Sequence, residues 1–130
     1  MTYLATSINQ SPVIAAKAGA TIEDVRGKAV KFSDGNVILC STAGETVLGI
    51  GIMTNDENIA VGGQVDVQIK DIGLVKAGAA IAKGDELAVD ASGTFQKATA
   101  SQHVFAIALE AGETGEFIPA MIVRYNKAAG

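Results

Sequence analysis

The side chains best equipped for chemistry are few and scattered. There is one histidine, His103, and one cysteine, Cys40. A hydrolytic triad needs a base beside a nucleophile. His103 stands in the polar step Ala100-Ser101-Gln102-His103 ahead of an apolar run, and reads as a loop or strand-edge histidine. Cys40 closes the run Val37-Ile38-Leu39-Cys40 and reads as a small buried hydrophobe. One His and one Cys do not make a zinc site. The stretch Gly78-Ala79-Ala80-Ile81-Ala82-Lys83-Gly84-Asp85 looks like a phosphate loop but fails as one. Five residues separate its glycines where four are needed, and Asp85 stands where the phosphate lysine belongs. Asp34, Asp56, Asp71 and Asp90 fall mostly in turns, where Asp bonds its own backbone. Asp85, Glu86 and Asp90 supply too few ligands for calcium. No enzymatic activity, metal or cofactor is expected.

A carrier module is the alternative. Val75 to Leu87 echoes lipoyl and biotinyl carrier domains, whose modified lysine sits on an exposed hairpin tip. Lys70, Lys76, Lys83 and Lys97 all lack the flanking residues of such a tip. A small-ligand-binding β module belongs to the same alternative.

The totals fit one domain. The chain has 130 residues, 48% hydrophobic and 18% charged, with fifteen glycines and no tryptophan. The core must come from Val, Ile, Leu and Ala, and the glycines from many turns. The net charge of −4, with Lys and Arg dispersed, argues against a nucleic-acid surface. No stretch approaches the roughly 20 apolar residues of a membrane span. The N-terminus has no signal-peptide pattern, so synthesis in a reducing cytoplasm is expected.

A glycine-led signature, with apolar or small residues three and five positions on, begins at Gly27, Gly62, Gly84 and Gly115. Each copy reads as a turn feeding a half-buried strand. The gaps are uneven, so the signature predicts no fixed-period repeat. Hairpins are expected over Ala29–Cys40, around Asp34-Gly35, and over Glu86–Ala98. Strands are expected at Val47–Met53, Gln64–Ile72, Val104–Leu109 (fully buried) and Phe117–Tyr125, with Pro119 at an edge or bulge. Leu74–Ile81 reads ambiguously, its alanines favouring a short helix. The predicted fold is all-β: a small barrel or sandwich of short strands, with at most one short helix. Residues 1–24 read as an extended N-terminal arm and 25–130 as the core. A solvated tail is the alternative for the arm, but Tyr3, Leu4, Ile8, Val13 and Ile14 are more apolar than such a tail usually carries. Pro12 favours an extended chain before it.

The stretch from Arg26 to Val123 resembles the capsid cement, or decoration, proteins of tailed phages, relatives of which are sometimes labelled recombinases. The resemblance rests on Gly27-Lys28-Ala29-Val30, Gly62 to Val67, Ala77 to Asp90, Ser92-Gly93 with Lys97-Ala98, and Ile107 to Ala111 before Gly115. The missing nucleotide loop gives the recombinase label no support. The resemblance implies a virion protein, made in the host bacterial cytoplasm, that binds the outer surface of the head as a homotrimer. It would stabilise contacts between major capsid protein subunits. The arm would then be the capsid contact, through Tyr3, Leu4, Ile8, Pro12, Val13 and Ile14.

Overall fold

Turn residues cut the apolar runs into pieces of two to ten residues, and each piece becomes a strand. A computed structural model describes residues 11–129; among them there is no helix. The strands are β1 (Val13–Lys17), β2 (Ile22–Glu23), β3 (Ala29–Ser33), β4 (Asn36–Leu39), β5 (Gly49–Gly51) and β6 (Asn58–Ile59). They continue as β7 (Gln64–Gln68), β8 (Ile72–Lys76), β9 (Glu86–Val89), β10 (Phe95–Lys97), β11 (His103–Ala108) and β12 (Phe117–Asn126). Two five-stranded antiparallel sheets run β1-β7-β5-β3-β4 and β10-β9-β11-β12-β8, and β2 pairs with β6. None of the sheets closes into a barrel. The all-β expectation holds, and the sandwich is the better of its two forms.

Two local expectations need correction. The alanine stretch is not helical: β8 ends at Lys76, Ala77 bridges Phe95, and the chain then turns. Its small residues serve packing instead. A Cβ on Gly78 would strike the side chains of Asp90 and Thr94, and Ala77 is buried. Pro119 is not at an edge, because β12 lies between β11 and β8. It is tolerated because β11 has already ended at Ala108, paired with Ala120; beyond that pair Leu109 N donates to the Pro119 carbonyl at 2.9 Å, where no proline N–H is required.

The two large sheets are the same structure twice. Read from the other side, the second is β8-β12-β11-β9-β10, matching β1-β7-β5-β3-β4 strand for strand. The register agrees too: Lys17↔Gln64, Ala15↔Asp66 and Val13↔Gln68 correspond to Lys76↔Phe117, Leu74↔Pro119 and Ile72↔Met121. So do the connecting bonds. Gly19 N donates to Val37 O and Gly78 N to Phe95 O; Ala18 N donates to Gly63 O and Ala77 N to Glu116 O. Two residues with positive φ, Asp71 (70°) and Arg124 (56°), fall at equivalent points. The four glycine-led turns are therefore two pairs: Gly84 repeats Gly27 after 57 residues and Gly115 repeats Gly62 after 53. The gaps are unequal because they alternate between positions inside a two-unit duplication, which the uneven spacing conceals.

Each unit has its own core. Val25, Val30, Val37, Val65 and Val67 fill the first; Val75, Leu87, Val89, Phe95, Phe105 and Ile118 fill the second. Ile50, Ala29, Cys40 and Val47 of the first unit join the second core and so weld the units together. Full burial of a side chain such as Ile50 is worth about 1.5–3 kcal/mol. Arg124 adds a polar tie. From β12 it donates to the carbonyls of Val47 (2.6 Å), Leu48 and Ile69 (2.9 Å) in the first unit, with its guanidinium 5.0 Å from the Phe105 ring centre.

Candidate functional site: two interaction surfaces

Most of the reactive-looking groups are taken up by structure. Cys40 is buried, and desolvation pushes its thiol up to about 12, so it carries no thiolate at neutral pH. His103 opens β11 with Nδ1 3.3 Å from Asn126 Oδ1, and its buried Nε2 has no hydrogen-bond partner among the described residues. Asp90 accepts from the backbone N–H groups of Ser92 and Thr94 and from the Thr94 hydroxyl, closing the β9–β10 turn. Asp85 accepts from Ala82 N at 2.9 Å. Lys76 lies 5.8 Å from the centre of the Phe117 ring and 3.9 Å from Asp24 Oδ2. Asp24 itself is held below its usual range, chiefly by the hydrogen bond from Arg26. Among the described residues no three His, Cys, Asp or Glu side chains gather as a metal site.

What remains is surface. The first candidate is the arm. Tyr3, Leu4 and Ile8 lie outside the described residues. Pro12 is tied to the body, since its carbonyl accepts from Ile69 N at 2.8 Å. Val13 and Ile14 are already inside β1, opposite Gln68 and Val67, and Ile14 packs against the first core. Residues 13–23 of the expected arm thus carry two strands, β1 and β2, and the fully buried Ala18 and Ile22.

The second candidate was not anticipated from sequence. On the outer face of the second sheet, Ile72, Leu74, Phe117, Pro119, Met121 and Ile107 point the same way, because Ile72↔Met121↔Ile107 and Leu74↔Pro119 are direct cross-strand partners. Ile72 is 60% exposed, Met121 42%, Leu74 39% and Phe117 38%. A groove of about 230 Å³ continues the face past Ile72 and Leu74 to Ile52 and Met53. The signal lay in Ile72 to Val75 and Phe117 to Val123, which are apolar or small on both faces rather than alternating. That pattern reads equally well as burial within one chain.

No protein-family model matches this chain, and no curated protein matches it. Its fold is similar to a solved structure, the head fiber gp8.5 N base of bacteriophage phi29, with a TM-score of 0.66 and 22% identity over 88% of this chain and 95% of that one.

Proposed function

We propose that this chain is a structural protein of a phage head, acting as a decoration or cement protein on the outer surface of the capsid. Its fold is that of a phage head fiber base over nearly the whole of both chains, and this observation carries the reading. The placement of its polar groups supports it, since the ionisable side chains described above serve turns, caps and ion pairs. In this reading the body sits on the shell as a homotrimer. The N-terminal segment, with Tyr3, Leu4, Ile8, Pro12, Val13 and Ile14, contacts the major capsid protein, and several arms acting together raise affinity without stronger single contacts. The role is mechanical: copies bridging neighbouring capsid subunits oppose their separation.

The test is to mix the purified chain with undecorated heads and follow cosedimentation and the temperature at which heads release DNA. Saturable binding with a higher release temperature is expected. Heads that bind none of the protein, or bind it with no gain in stability, contradict the proposal. Deleting residues 1–12 is expected to leave the body folded and to weaken head binding. Undiminished binding by that variant removes the arm from the contact.

A further inference from the structure

The two units present equivalent faces, and among the described residues one of them is covered in part by the other unit while the second is left exposed. In the first unit that face includes Ile50, which is fully buried because Gly73 of the second unit sits on it; a Cβ on Gly73 would come 2.7 Å from Ile50 Cδ1. On β7 that face is polar, with Gln64, Asp66 and Gln68, and on β1 their partners are Lys17, Ala15 and Val13. In the second unit the equivalent of Ile50 is Ile107, and the equivalents of Gln64, Asp66 and Gln68 are Phe117, Pro119 and Met121. The first unit shows that the strand equivalent to β12 folds with polar residues outward and that a small Ala15 suffices where β8 has Leu74. The apolar set on β12 and the bulk of Leu74 are therefore not requirements of the fold.

We propose that the outer face of β8, β12 and β11 is where a second copy of this chain docks, as the second unit docks on Ile50 of the first. An extended peptide is a poor occupant, because the free edge of β8 is largely closed: Gln68 Nε2 donates to Ile72 O at 2.8 Å and Lys76 N to Gly27 O at 2.8 Å. The occupant must come to the face and pack side chains. The duplication points to a like chain, because the equivalent residue Ile50 is covered by a unit of this same fold. A net charge of −4 makes copies repel, and the uncharged centre Ile72, Leu74, Ile107, Pro119 and Met121, bounded by Lys76 and Glu86, is where that repulsion is least. Size is consistent. Three strands about 4.8 Å apart and five residues of about 3.3 Å give a footprint of roughly 250 Å². That is about a third of the ~800 Å² each partner buries in a standard interface, as expected for the apolar centre of a contact with a polar rim.

The inference deepens the homotrimer of the head reading; its test needs no phage head, so its failure removes self-association through this face while head binding is decided separately by the cosedimentation experiment. Sedimentation velocity of the full chain is expected to show an oligomer. A variant carrying the first unit's residues at the equivalent positions, Leu74→Ala, Phe117→Gln, Pro119→Asp and Met121→Gln, is expected to sediment as a monomer. Its dissociation constant should rise at least about a hundredfold, while its far-ultraviolet circular dichroism stays unchanged. Should that variant lose its fold, Leu74→Lys alone decides, since residue 74 is exposed. A wild-type chain that remains monomeric well above micromolar concentration overturns the proposal. So does Leu74→Lys keeping the wild-type oligomer.

Discussion

The first unit, Val13 to about Lys70, and the second, Ile72 to Asn126, solve one folding problem with different residues. The central strand is Gly49-Ile50-Gly51 in the first and Ala106-Ile107-Ala108 in the second. Glycine is needed in the first because Cβ atoms at 49 and 51 would run into the carbonyl oxygens of Gln68 and Val25. Val37 in the first core is Phe95 in the second, where it stacks on Phe105 with ring centres 5.7 Å apart. The turn before the central strand is capped by Glu45 in the first unit, which accepts from Thr42 N at 2.8 Å. In the second it is capped by Gln102, which accepts from Thr99 N at 2.9 Å. Hydrogen-bond pattern and register are kept, while volume, charge and outward polarity vary. The fold thus sets the backbone, and the outer residues report what each unit meets.

The largest effect should come from removing the packing that the second core has and the first lacks. Phe95→Ala is expected to cost about 3–5 kcal/mol in urea unfolding. If it costs no more than Val37→Ala, the aromatic pair is not what distinguishes the cores. Next, Gly51→Ala is expected to destabilise by roughly 3 kcal/mol through overpacking, against about 1 kcal/mol for Ala108→Gly at the equivalent site. Equal costs would mean the central strands are not differently crowded.

The polar tie between units comes third. Arg124→Met is expected to cost about 2 kcal/mol by leaving the carbonyls of Val47, Leu48 and Ile69 without their donor. Hydrogen exchange should quicken at that junction ahead of either core. Uniform quickening would show that the units open as one body and that Arg124 is no special tie.

The smallest effect distinguishes the two caps by pH. Burial would raise the Glu45 carboxyl, but hydrogen bonds from Lys31, Thr42 and Ser41 outweigh it and hold the group below its ordinary 4.5. A depressed folded-state pKa contributes stability above the unfolded value and loses it as pH falls through the folded one. Glu45→Gln should therefore cost about 1 kcal/mol at pH 7, and the difference should shrink as pH falls below that ordinary value and vanish once it has passed the lower folded-state one. Gln102→Ala should cost the same at both pH values. A pH-independent Glu45→Gln effect would remove the charge from the account.

Much of this was legible in sequence. Asp34-Gly35 and Asp90 to Gly93 mark hairpins because their turn chemistry is local, and Gln64 to Gln68 alternates because its strand has one wet face. The duplication was hidden although its markers were in view. Thr42-Ala43 and Thr99-Ala100, or Lys17-Ala18-Gly19 and Lys76-Ala77-Gly78, repeat only a backbone requirement, while the residues between them follow different neighbours. The apolar face was illegible for a different reason. Ile72 and Leu74 alternate with Gly73 and Val75, and nothing local distinguishes a side chain turned to the core from one turned to a partner. The arm residues Val13 and Ile14 show the converse, since β-strand pairing with Gln68 and Val67 is a long-range event.

The most direct measurement is electron cryomicroscopy of heads incubated with the full chain, resolved well enough to place the strands. The expected result is added density on the outer surface that fits this two-unit body, with neighbouring copies touching through Ile72, Leu74 and Met121. Bare heads would contradict the proposed function, and bound copies whose β8–β12–β11 faces remain open to solvent would contradict the assignment of that face.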